Sequence, residues 1–217
     1  RAPYPYLYRK PEGMTEEEAI NFYLKKLNDV FEEASPAEYV AAIVLEPLQG
    51  EGGFIPAPIE WVKAVRKICD EHGILMICDE VQCGWARSGK MFASQYFAEA
   101  GAAPDIMSTA KSIAGGLPLS AVTARAEIMD AVPGGTIGGT YGANAVSAAS
   151  ALKVVEVMER DDYPAKAMHI ADVATKAFNE WKEKYECVGD VRGLGAMIGI
   201  EFVKDKASKE PDAALVG

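Results

Sequence analysis

The chain has 217 residues, of which 49% are hydrophobic and 25% charged, and its net charge is −10. That composition is globular and long enough for a core of its own, and it excludes collagen, coiled-coil and disordered classes. The acidic balance argues against nucleic-acid binding, because neutralising phosphates needs clustered Lys and Arg.

Residues 1–14 are rich in Pro, Tyr and Gly and read as an irregular connection. Arg1–Pro5 has no apolar core of a signal peptide, and the missing initiator Met reads as a mature product or a piece of a longer chain. Thr15 followed by Glu18 fits a capping box. Ala19, Phe22, Tyr23, Leu27, Val30 and Phe31 then repeat at helical spacing. Val40–Leu45 is a short continuous apolar run, as expected of a strand covered on both faces, and Glu46-Pro47 ends it. A Gly-rich loop, Gly50–Gly53, leads to a helix from Pro58 with Trp61, Val62, Val65 and Ile68 on one side. His72-Gly73 is its stop, with Gly at the left-handed cap position.

Ile74–Cys78 is a second buried strand, with Asp79-Glu80-Val81-Gln82 at its carboxyl end. Residues 91–100 read as helix and Asp105–Thr109 as a third strand, with Lys111 just beyond it. Leu119–Thr123 is a fourth strand, Asn144–Arg160 and Pro164–Tyr185 are helices, and Ala196–Phe202 is a strand in a new unit. No apolar run approaches the ~18 residues of a membrane helix. Strands alternating with helices predict an α/β fold with a mostly parallel sheet. Ligands of such sheets sit at the carboxyl ends of strands, which places Asp79 and Lys111 on one working edge. The pattern shifts near residue 155, so residues 1–155 and 156–217 read as parts of two units.

Four Cys (Cys69, Cys78, Cys83 and Cys187) and two His (His72 and His169) show no metal-ligand spacing. Free thiols in a reducing compartment, and hence a cytoplasmic protein, are the natural reading. Cys78 in its apolar run reads as a core residue.

Several residues here admit two readings. Asp79 after a buried strand either caps a helix or pairs with an Arg, or else faces a cation such as a protonated pyridine nitrogen. Lys111 is either a surface Lys at a strand end or a partly buried amine able to form a Schiff base. The small residues on both sides of it (Ser108-Thr109-Ala110 and Ser112 to Gly116) let a ligand approach the backbone. The Gly134–Gly142 loop with Thr140 before a long helix suits an anion, although Gly-rich loops before helices are common. Glu46 and Glu51, flanking Gln49-Gly50, either do acid–base work or bind cationic side chains. Nothing supports a Ser-His-Asp mechanism.

Several segments in order resemble the class III aminotransferases, the ω-aminotransferase subgroup. Glu46-Pro47-Leu48-Gln49-Gly50-Glu51-Gly52-Gly53 resembles the family's E-P-x-Q-G-x-G-G segment. Asp79-Glu80-Val81-Gln82 through Arg87-Ser88-Gly89 resembles D-E-V-Q-x-G-x-x-R-[ST]-G. Ala110 to Pro118 resembles the cofactor-lysine segment, Gly138 to Tyr141 with Asn144 the phosphate segment, and Gly189 to Gly195 the start of the C-terminal domain.

The resemblance implies the three-layer α/β/α large domain of the pyridoxal-phosphate-dependent transferase fold (fold type I) and the start of a small α+β C-terminal domain. It implies that Lys111 forms the Schiff base with pyridoxal 5′-phosphate and later carries the substrate proton. Asp79 would pair with the pyridine nitrogen, Val81 pack on the ring and Gln82 bind its phenolic oxygen. Thr140 would bind phosphate, usually that of the other subunit's cofactor, which implies a homodimer with shared sites. Glu51 would pair with an active-site Arg that swings to admit either one or two substrate carboxylates, and Glu46 with a second Arg. The wording is similar to the subgroup that moves an amino group from 4-aminobutyrate to 2-oxoglutarate. Ornithine, acetylornithine or β-alanine transfer, aminomutase chemistry and an inactive packing fragment are the alternatives. Members of the family carry longer N- and C-terminal parts, with further cofactor and Arg residues, than this chain does.

Overall fold

The computed structural model describes residues 1–136 and 138–216. Helix α1 spans Glu16–Glu33. The predicted capping box opens it: Glu18 N–H donates to Thr15 Oγ1 at 3.2 Å, and Thr15 N–H to the Glu18 carboxylate at 2.7 Å. Strand β1 (Ala42–Leu45) runs into a small antiparallel ribbon of β2 (Leu48–Gln49) and β3 (Ile55–Pro56), which frames the Gly50–Phe54 turn. Helix α2 (Ile59–His72) follows, and Gly73 ends it at φ 68°, the left-handed cap that the sequence predicts.

Strand β4 (Leu75–Asp79), helix α3 (Ser94–Glu99), strand β5 (Ile106–Thr109) and strand β6 (Ala121–Ala124) complete the central sheet, whose order is β1-β4-β5-β6. The first three strands are parallel, and β6 is antiparallel to β5. The turn of direction has a local cause. A parallel return needs a crossover of ~12 or more residues, usually helical. The β5–β6 link holds only a short 3-10 turn, Lys111–Ala114. The fold is therefore α/β with a mostly parallel central sheet, as expected.

Tyr23 and Leu27 of α1, Trp61, Val62 and Val65 of α2 and Met76 and Cys78 of β4 share one buried core. Asp105, just before β5, fastens it. Its carboxylate accepts from the Met76 N–H at 2.7 Å and pairs with Arg66 at 2.7 Å and Arg125 at 3.0 Å. A buried carboxylate held by this many donors offsets much of its desolvation. β1 departs from the expectation of a strand covered on both faces: Val44 is 64% exposed. The strand lies at the sheet edge, where only β4 pairs with it.

Helix α4 (Ala126–Met129) precedes α5 (Ala145–Arg160), whose cap residue Asn144 accepts from the N–H groups of Val146 and Ser147. α5 packs on the 3-10 turn of Lys111. The predicted division at residue 155 falls inside this uninterrupted helix. Helix α6 (Tyr163–Lys184) then leads to the hairpin of β7 (Val188–Leu194) and β8 (Met197–Phe202), and α7 (Ala213–Val216) follows. The hairpin tip docks on the loop after β4, where the Ala196 N–H donates to Arg87 O at 2.8 Å. Gly195 is required there. Its φ is 56°, and a Cβ would lie 2.4 Å from Gly89 N. Among the described residues no helix is long and apolar enough to cross a membrane.

Candidate active site

Parallel pairing brings Asp79 and Ser108 into register at the carboxyl ends of β4 and β5. Asp79 Oδ1 accepts from the Val81 N–H at 2.9 Å and from Ser108 Oγ at 3.3 Å. Among the described residues no donor reaches Oδ2, and no Arg or Lys pairs with the group. The carboxylate is thus aimed by one oxygen, leaving the other free to meet a cation. A pyridinium N–H suits that oxygen chemically, since an ionised carboxylate only accepts hydrogen bonds.

Lys111 opens the 3-10 turn two residues past β5, with φ 49°. A side-chain-bearing residue in that region costs ~1–2 kcal/mol and persists only where its surroundings hold it. Here they do. Ile113 and Ala114 are buried, and Ala114 O accepts from Ser150 Oγ of α5 at 2.9 Å. Lys111 is exposed, the first of the two placements its sequence position allows. Its turn is covered from one side, by Ser150 and Val154 of α5, with a cavity of about 670 Å³ between them.

Asp79 opens onto a different cavity, of about 500 Å³, together with Glu46, Gln49, Tyr4 and Trp61. The predicted common edge is therefore present, but the described residues do not enclose Lys111 and Asp79 in one pocket.

The Gly50 turn meets the Asp79 segment directly. A Cβ on Gly50 would lie 1.5 Å from Gln82 Oε1, so only Gly lets that amide sit against the turn. The Gly50 N–H donates to Glu46 Oε2 at 3.0 Å, and Tyr4 Oη donates to Glu46 O at 2.9 Å. Burial pushes the Tyr4 hydroxyl well above its ordinary pKa, and the nearby Glu46 adds to this. Glu46 thus accepts from the backbone of its own turn, whereas acid–base work or a cationic partner is expected from sequence. Glu51 is exposed and lines a cleft of about 360 Å³ with Arg192. Thr140 is exposed on a turn and lines neither the Lys111 nor the Asp79 cavity.

Sequence reasoning missed Glu80. Its side chain is fully buried and accepts from the Ala93 N–H at 3.0 Å, the Ser94 N–H at 2.5 Å and the Cys83 thiol at 3.2 Å. It closes the N-terminus of α3 thirteen positions further along the chain, a place that favours an anion. No nearby residue signals this, because the acceptor and its amides are joined only by the folded loop. Glu80→Gln keeps the shape but turns one acceptor into a donor, leaving a buried amide unpaired. It should lower stability by about 2 kcal/mol. A lower urea midpoint at unchanged slope shows this, and an unmoved midpoint refutes it.

Three of the four thiols, Cys69, Cys78 and Cys83, lie in the core. Burial pushes Cys69 up to about 11, and pushes Cys78 and Cys83 higher still, with Glu80 adding to both. Only Cys187 is not buried. An alkylating reagent at neutral pH should therefore label one thiol in the folded chain and four after unfolding, by intact mass. Fast labelling of Cys78 or Cys83 in the folded chain contradicts the packing.

The profile of the family described as Aminotransferase class-III matches residues 1–216. The 4-aminobutyrate aminotransferase of Escherichia coli strain K12 is 44% identical over 213 residues, which are 98% of this chain and 48% of that protein. A leucine/methionine racemase of Thermococcus litoralis is 43% identical over 208 residues, 96% of this chain and 46% of that one. Among solved structures, a PLP-bound amine transaminase from an uncultivated Pseudomonas species superposes with a TM-score of 0.89 at 34% identity, covering 99% of this chain and 49% of that one. The chain spans about half the length of the curated relatives it matches.

Proposed function

The chain belongs to the class III aminotransferase family, and from that membership we propose that the protein containing it is a pyridoxal-phosphate-dependent transaminase. It moves an amino group from an ω-amino acid of the 4-aminobutyrate type to 2-oxoglutarate in two half-reactions, keeping the amino group between them and returning to its first state only after the second. The observation that carries this reading is the half-satisfied carboxylate of Asp79 one strand away from Lys111, at the carboxyl edge of a parallel sheet. The 44% identity to a 4-aminobutyrate aminotransferase supports the donor.

Pyridoxal phosphate, when bound, supplies an electron sink for the charge left on the substrate carbon. The rest is the work of this chain's residues. Lys111 Nζ would hold the cofactor covalently and, once displaced by the substrate amine, would take the proton from the substrate carbon and deliver it to the cofactor carbon on the other side of the transferred nitrogen. The free oxygen of Asp79 keeps the ring nitrogen protonated. Val81 packs on the ring, and Gln82, seated on Gly50, orients its phenolic oxygen. Glu51 and Glu46 tune access for substrate carboxylates.

Thr140 stands on an exposed turn, which suits a role at the phosphate of a second copy, and hence a homodimer with shared sites. Residues 1–155 form part of the large cofactor-binding domain, and residues 156–217 the linking helix and the start of the small domain. Four free thiols suit the cytoplasm.

The test is the visible spectrum of the whole protein with 4-aminobutyrate and no keto acid. The band of lysine-held cofactor should give way to that of its amine form, and 2-oxoglutarate should restore it. The 43% identity to a racemase favours one second reading, inversion at an α-carbon with the same Lys111. In that case 4-aminobutyrate leaves the band unmoved, and a single enantiomer of an amino acid is inverted without any keto acid.

A further inference from the structure

We propose that Arg192, on β7, is a positioning residue for the active site: it ties the β7–β8 hairpin to the Gly50–Phe54 turn and so fixes the seat of Gln82 beside Asp79. Arg192 Nε donates to Gly53 O at 2.8 Å, across 139 residues of chain. A Cβ on Gly53 would lie 2.9 Å from the guanidinium, so the contact is close on both sides.

Arg192 has further partners. Its Nη1 faces both Glu201 Oε2 at 2.9 Å and Asp190 Oδ2 at 3.3 Å, and its Cζ lies 4.8 Å from the centre of the Tyr6 ring. Glu201 also accepts from Arg9 Nε at 2.9 Å and from the Tyr6 hydroxyl, and Asp190 faces Lys182 at 3.4 Å. With its charge already matched by two carboxylates, the hydrogen bond to Gly53 aims the guanidinium at the turn and makes no new ion pair.

From Gly53 the path to the site is short. The N–H groups of Gly53 and Phe54 both donate to Gly50 O, at 3.0 and 3.2 Å. The Gly50 N–H reaches Glu46, and Gly50 carries no side chain where the Gln82 amide rests. Val81, next to Gln82, donates to Asp79. Releasing Gly53 therefore loosens the wall behind Gln82 without touching Lys111. A planar fork serves a carbonyl and two carboxylates at once, which a Lys ammonium cannot do.

The kinetic part of this inference rests on the proposed transaminase reading, whereas the structural part does not. The experiment compares the full-length protein with Arg192→Lys and Arg192→Met, which remove the hydrogen bond to Gly53 with and without the charge and guard against one variant failing to fold. Amide exchange at Gly53 and Phe54 should quicken about 10-fold in each, with the β7–β8 amides little changed. The KM for the amino donor should rise about 10-fold while kcat moves less than about 3-fold, with the lysine-held cofactor band intact. Unchanged exchange at Gly53 and Phe54 overturns the tie. Equal quickening through the hairpin also overturns it, because Arg192 is then merely structural. If the parent protein transfers no amine, the transaminase reading fails, and the exchange result alone still decides the tie.

Discussion

Lys111→Ala in the whole protein should lower amino transfer by ~10⁴-fold or more and remove the lysine-held cofactor band. One nitrogen performs two tasks in the proposed reaction, holding the cofactor and carrying the proton, so nothing else in the described chain replaces it. Folding should barely change. The side chain is exposed, and Ala meets the same positive φ that Lys does, so stability should move by less than about 0.5 kcal/mol. Lys111→Arg separates charge from chemistry, because a guanidinium keeps the charge but stays protonated and cannot attack a carbonyl. It should be as inactive as Ala. Turnover together with a thermal midpoint checks this, and an Arg variant with substantial activity contradicts it.

Asp79→Asn should cost about 10²-fold in the half-reaction with amino donor, since a carboxylate beside a cationic nitrogen shifts its proton affinity by ~1–3 pKa units. Asn is the informative choice. Its carbonyl oxygen still accepts from the Val81 N–H and Ser108 Oγ, so the geometry that aims the side chain survives and only the charge is lost. Single-turnover absorbance changes read the half-reaction directly. A rate within threefold of the parent means that Asp79 is only a cap for its own turn.

Local chemistry was legible in the sequence. Thr15 with Glu18, and Gly73 after His72, act within a few residues of themselves, and both fold as the residue types dictate. The working edge was legible too, because a buried strand ending in Asp79 and another ending just before Lys111 need only the rule for parallel sheets. The direction of β6 was not, since it depends on what the β5–β6 link leaves out rather than on the strand itself. Glu80 was invisible beside Asp79, because its amide donors at Ala93 and Ser94 come to it only through the folded loop. The Arg192–Gly53 tie spans most of the chain and has no periodicity to announce it. Sequence left Lys111 open between a surface and a partly buried position, and packing of α5 on one side of its turn leaves it exposed. Sequence placed Asp79 and Lys111 at the strand ends, while the long-range contacts around them came from tertiary packing.

The central claim is that Lys111 is the residue that holds the cofactor. Reducing the whole protein with borohydride in the presence of pyridoxal phosphate, digesting it and mapping the added mass by fragmentation tests this directly. One phosphopyridoxyl group per chain, on Lys111, is the expected result. Mass on another lysine, spread over several, or absent altogether contradicts it.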